Sequence, residues 1–284
     1  MTLAAADPIF VSTAWLAENL GAPDVVAIDA SFHLPSEKRD AKMEYQQGHI
    51  PGAVFFEIDA IADHRTDLPH MLPSPENFAL AMNDLGLGHD LRLVVYDSSN
   101  LQGSARVWWT LRIYGARDVK ILAGGLPRWC AEGRPLERGT VQRPQGHFQV
   151  DFDPAAVADA KEVEQASQTA SVQILDARSA ARFTGAVPEP RPGLRSGHIP
   201  GSFNLPWDEL VAEGELRSSE EVKARLAKAE IDLSRPIITT CGSGVTAAIL
   251  LLALASIGKN DVRLYDGSWA EWGARSDLKV VVGE

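Results

Sequence analysis

The chain of 284 residues carries 38 acidic against 27 basic side chains, a formal charge of −11, and is 45% hydrophobic. These values suit two globular domains of about 140 residues each and exclude a disordered or fibrous class. The acidic balance, with no cluster of Lys and Arg, excludes a general phosphate-backbone binder, so no nucleic-acid partner is expected.

No Lys or Arg precedes Lys38, so neither a secretory nor a transit leader is expected. The run Val25-Val26-Ala27-Ile28-Asp29 reads as a buried strand, and Gly48-His49-Ile50-Pro51-Gly52-Ala53 as a turn. Ser74 caps a helix with Pro75 at its first position and Phe78, Met82 and Leu85 on one face. Leu93-Val94-Val95-Tyr96-Asp97 is a second strand, and Val119 to Leu122, ahead of Gly124-Gly125 and Trp129, a third. Glu132 to Gly146, rich in Gly, Pro, Arg and Gln and without periodicity, reads as a connector.

The order then repeats. Val172-Gln173-Ile174-Leu175-Asp176 follows the first strand by 147 positions, and Gly197-His198-Ile199-Pro200-Gly201-Ser202 follows the first turn by 149. A segment near Ser219 has a Ser cap, early Glu220 and Glu221, and an apolar face of Val222, Leu226 and Ala229. Ile237-Ile238-Thr239-Thr240-Cys241 lies 144 positions after the second strand, and Val262 to Tyr265 precedes Gly267-Ser268 and Trp272. Two copies of one α/β domain are expected, each a mostly parallel sheet flanked by helices, over residues 1–135 and 158–284 with 136–157 between them. Ala247 to Ile257 is far short of the roughly 20 residues of a membrane span and reads as a buried helix. Cys130 and Cys241, the only cysteines, cannot form a disulfide framework and suit a reducing compartment, so the cytoplasm is expected.

Cys241-Gly242-Ser243-Gly244-Val245-Thr246-Ala247 follows a strand and opens that apolar helix. Loop amides and the positive end of the helix dipole favour an anion there, which suits a nucleophilic thiolate. Gly242 and Gly244 let the loop curl with its amides inward, and the Ser243 hydroxyl is placed to donate or relay a proton. The residue six beyond the cysteine is Ala247, with no Arg or Lys up to Ile257, so phosphatase chemistry lacks the cation it needs. A single sulfur carried as a persulfide fits better. Arg182 and Arg191, ahead of the second Gly-His-Ile-Pro-Gly turn, suit a small carboxylate or equally a charged surface; Arg178 and Asp176 read as structural. Scattered histidines and two distant cysteines give no metal-ligand spacing, and no cofactor is expected.

With these residues in place the chain resembles the two-domain rhodanese-type sulfurtransferases, in their 3-mercaptopyruvate form, nearly end to end. Asp97 stands where Cys241 stands, as in that family's cysteine-free first domain, and Gly242 and Ser243 replace the basic residues typical of thiosulfate-specific relatives. The resemblance implies tandem rhodanese-like domains, with Arg182 and Arg191 holding the carboxylate and keto oxygen of 3-mercaptopyruvate. It implies that Gly242, Gly244, Val245 and Thr246 surround the sulfur, and that Asp59 and His70 line the cleft as catalytic residues that orient or polarise the substrate thiol. It also implies a thiol acceptor, such as a small thiol or thioredoxin, or cyanide in an assay. His49 and His198 read as structural and Cys130 as inert. A thiosulfate sulfurtransferase and a persulfide-relay or thiol-sensing module remain as alternatives.

Overall fold

The computed structural model describes residues 9–34 and 37–283. The first half contains strands β1 (Phe10–Val11), β2 (Val25–Asp29), β3 (Val54–Phe55), β4 (Arg92–Tyr96) and β5 (Asp118–Leu122). The second begins with β6 (Val157–Ala158), β7 (Gln173–Asp176) and β8 (Phe203–Asn204) and inserts the hairpin β9 (Val211–Ala212) and β10 (Glu215–Leu216). It then continues with β11 (Ile237–Thr240) and β12 (Val262–Tyr265). Each half forms a five-stranded parallel sheet, ordered β1-β5-β4-β2-β3 and β6-β12-β11-β7-β8. The two orders are the same path through the repeat. The expected α/β doubling is therefore present.

Every residue of β2 and β11 is buried, because helices cover both faces of each sheet. The Ser74 hydroxyl accepts from the Asn77 amide at the start of helix Pro75–Asp84. In the second half Ser218, one residue before Ser219, is the cap and forms a capping box with Glu221. The helix Ala247–Ser256 is apolar all round, and all but its last two residues are buried. It packs against the helix Gln102–Ile113 of the first half. One apolar cluster consequently runs from Val26 and Leu93 through Trp109 to Leu250 and Leu264, so the halves share a core.

The segment after the helix Gly125–Ala131 is irregular but tied down. His49 bridges Glu137, Gly139 donates to the Gln46 carbonyl, and Gly146 donates to that of Asn83. Phe148 donates to the Asn83 side chain, so this strap lies along the first half before the chain enters β6 at Val157. His49 and His198 are buried in their turns, their Nδ1 atoms bonded to the carbonyls of Tyr45 and Phe183. Among the described residues no helix is long and apolar enough to cross a membrane.

Candidate active site

Cys241 leaves the end of β11 buried, 1% exposed, at the mouth of the loop that runs into the helix Ala247–Ser256. The turn after β12 holds this loop from behind. Cys241 donates its amide to the Ser268 hydroxyl at 3.2 Å, which in turn donates to the Tyr265 carbonyl at 2.8 Å. The carbonyls of Cys241 and Gly242 accept from the amides of Trp269 and Ala270 at 3.0 and 2.9 Å. Among the described residues, none of the amides from Gly242 to Thr246 donates a hydrogen bond within the protein. Unpaired N–H groups in a largely buried loop at a helix N-terminus call for an acceptor, and an anion answers best.

The first half supplies the contrast. Asp97, at the position of Cys241, accepts from the amides of Ser99 and Leu101 on Oδ1 and from Ser104 on Oδ2. That loop is filled by its own carboxylate. The second loop has a thiol at the same place.

Gly244 is required sterically, and Gly242 leaves room for a guanidinium. Gly244 sits at φ 79°, and a Cβ there would lie 2.9 Å from the Asp266 carbonyl oxygen; a Cβ on Gly242 would lie 2.9 Å from Nη2 of Arg182. Arg182, on the short helix Ala180–Phe183, is thus laid against the cysteine loop. Its Nη2 donates to Glu189 at 2.5 Å. Glu189 also accepts from Arg178, which is bonded to Asp176 and stacked 4.0 Å over the Trp269 ring. Arg178 and Asp176 are both 1% exposed; Arg178 pairs with Asp176 and Glu189 and also borders the cavity over Cys241.

Arg191 is less committed. Its Nη2 lies 3.2 Å from Nε2 of His70, a residue of the first half. A guanidinium only donates, so Nε2 is the accepting nitrogen and the His70 proton is on Nδ1, directed at Oδ1 of Asp59. This short bond from His70 holds the Asp59 carboxyl below the usual range despite partial burial. Burial lowers the pKa of Arg191; Cys241 opposes that shift and Arg182 adds to it.

A cavity of about 460 Å³ opens over the cysteine, a size that suits a small metabolite. Arg182 and Arg191 lie on its wall with Cys241, Gly242, Ser243, Val245 and Thr246, and Leu34, Pro190 and Trp207 supply apolar surface. Gly244, His70 and Asp59 are not on that wall: Gly244 turns its carbonyl to Arg106, and the His70–Asp59 pair reaches the cavity through Arg191. Sequence reasoning missed Glu189, Ser268, Arg106 and Asp266. Cys130 is exposed and is not on this wall.

A sequence model of the rhodanese-like domain matches residues 12–132 and again 159–275. The chain belongs to the rhodanese family. Among its rhodanese relatives, the 3-mercaptopyruvate sulfurtransferase of Escherichia coli is 52% identical over 95% of this chain and 97% of its own. The human protein of the same name is 41% identical over 96% of this chain and 95% of its own. The crystal structure of the Escherichia coli 3-mercaptopyruvate sulfotransferase SseA superposes with a TM-score of 0.87 at 48% identity. That match covers 93% of this chain and 99% of that one. The rhodanese doubling therefore accounts for the two matching sheets and for the paired loops at Asp97 and Cys241.

Proposed function

We propose that this protein is a 3-mercaptopyruvate sulfurtransferase whose sulfur carrier is Cys241. The observation that carries the reading is the row of unpaired amides from Gly242 to Thr246 around a buried thiol, beside two arginines. A persulfide anion is small enough for that loop, and a keto acid has the carboxylate the arginines bind. The names of relatives covering nearly the whole chain point the same way.

In this reading the Cys241 thiolate attacks the substrate sulfur while Arg182 and Arg191 hold the carboxylate and keto oxygen. The sulfur–carbon bond breaks, its electron pair passes to the enolate of pyruvate, and the substrate thiol proton ends on carbon by way of Ser243. The persulfide anion stays on Cys241, held by the amides of Gly242, Gly244, Val245 and Thr246. Asp59 fixes the His70 proton on Nδ1, so that Nε2 holds Arg191 against the substrate. A thiol acceptor such as thioredoxin or a small thiol then takes the outer sulfur and restores the thiolate. Two cysteines without a partner disulfide suit a reducing cytoplasm.

Steady-state rates on 3-mercaptopyruvate and on thiosulfate test this. The expected kcat/KM for 3-mercaptopyruvate is at least about tenfold above that for thiosulfate, because the loop from Gly242 to Thr246 has no basic residue to hold a second negative charge. A preference for thiosulfate would overturn the substrate assignment.

A further inference from the structure

We propose that Arg106 and Asp266 form a positioning pair that holds His70 in the geometry the site uses; this rests on the function proposed above. Both are buried, at 2% and 3% exposure, and they meet across the two halves, Nη2 of Arg106 donating to Oδ1 of Asp266 at 2.7 Å. The same Nη2 donates to the His70 carbonyl at 2.7 Å, while Leu72, two residues on, donates its amide to Oδ2 of Asp266 at 2.8 Å. Nη1 of Arg106 donates to the Gly244 carbonyl of the cysteine loop at 3.2 Å. One ion pair therefore grips both ends of the turn carrying His70 and ties it to the loop carrying the thiol.

The repeat makes the pair conspicuous. The displacement that brings Asp97 onto Cys241 brings Arg106 onto Leu250, and the one that brings Leu122 onto Tyr265 brings Ala123 onto Asp266. Neither charge has a counterpart on the other side of the pseudo-symmetric interface. His70 itself is left-handed, at φ 61°, a conformation a histidine holds only under constraint. Arg106 and Asp266 supply that constraint at the carbonyl of His70 and the amide of Leu72. The ring is then set edge-on to Phe32 with Nε2 facing Arg191 and Nδ1 facing Asp59.

Arg106→Lys tests the proposal without stranding a buried carboxylate, because a single ammonium cannot serve the His70 carbonyl, the Gly244 carbonyl and Asp266 in the guanidinium's geometry. Should that variant not fold, Asp266→Asn, which keeps an acceptor for Leu72, takes its place. The first readout is the downfield proton NMR signal of the His70–Asp59 bond, identified by its loss in His70→Gln. The signal is expected to vanish or move in the folded Arg106→Lys protein; an unchanged signal would overturn the proposal. The second is single-turnover persulfide formation from 3-mercaptopyruvate, expected to slow about tenfold in Arg106→Lys, with the double variant within about twofold of His70→Gln alone. Multiplying effects would mean that Arg106 acts independently of His70, and would also overturn it. If the NMR signal moves but His70→Gln turns over normally, the positioning stands and the role of His70 in the proposed reaction falls.

Discussion

Nε2 of His70, from the first half, accepts from Nη2 of Arg191, from the second, at 3.2 Å, so an arginine on the cavity wall is oriented by a residue more than a hundred positions earlier in the chain. Of the three arginines around the cavity, Arg191 is the one with no carboxylate hydrogen bond. Arg182 shares Glu189 with Arg178, whereas Arg191 meets the imidazole of His70. Arg191→Gln should therefore leave the fold intact and raise KM for 3-mercaptopyruvate by roughly 10- to 100-fold, the loss of one charge-assisted hydrogen bond of about 1.5–3 kcal/mol. The fall in kcat should be smaller. Pyruvate release over a range of substrate concentrations checks this, and an unchanged KM would remove Arg191 from the substrate.

Ser268 is held at φ 49°, where its counterpart in the first half is Gly125 at φ 54°. A serine is retained there because its hydroxyl links the Cys241 amide to the Tyr265 carbonyl. Ser268→Ala loses that link and keeps the strained backbone, while Ser268→Gly loses the link and relieves the strain. Urea unfolding should rank wild type above Gly and Gly above Ala, with the alanine cost about 1–3 kcal/mol for a stranded buried amide. Equal stability of all three would show that the hydroxyl does not hold the loop.

Asp29 and Asp176 end matching strands, but Asp176 is paired with Arg178, where the first half has Ser31. Burial without a cation pushes the Asp29 carboxyl up to about 6. Because the folded pKa lies above the unfolded one, the stabilising contribution is fully present below about pH 4 and is lost as pH rises through about 6. That loss is on the order of 3 kcal/mol at pH 7.5. Asp29→Asn keeps an acceptor for the Ser31 amide and should remove this pH dependence, raising stability at pH 7.5 relative to wild type. Melting curves at pH 5 and pH 7.5 decide it; a destabilised variant at both would contradict the sign.

The repeat was the most readable feature, because β-branched runs ending in Asp or Cys recur at nearly constant spacing, and from it came both sheets and the paired loops. The cysteine loop was readable too, since glycines and hydroxyls between a strand and an apolar helix have few other uses. Asp59 and His70 were found only through the family resemblance: each is a lone polar residue, and the arginine that joins them to the cavity lies in the other half. Ser268, Arg106 and Asp266 act through contacts 27 and 160 positions apart, invisible to local pattern. A signal was nonetheless present. Laid on each other, the two halves set Ser268 against Gly125, Asp266 against Ala123 and Arg106 against Leu250, and each mismatch marks a residue holding the site. The connector was aperiodic in sequence, yet its backbone is bonded along the first half through residues such as Asn83 and Gln46 that no spacing rule links to it.

On the proposed function, Cys241 carries the sulfur as a persulfide. Reduced protein is mixed with 3-mercaptopyruvate in the absence of an acceptor, and pyruvate release and intact mass are followed for wild type and Cys241→Ser. One pyruvate per chain, with a mass gain of one sulfur atom in wild type and neither in Cys241→Ser, is the predicted result. Pyruvate release by Cys241→Ser, or wild type that gains no sulfur while releasing pyruvate, would contradict a persulfide on this residue.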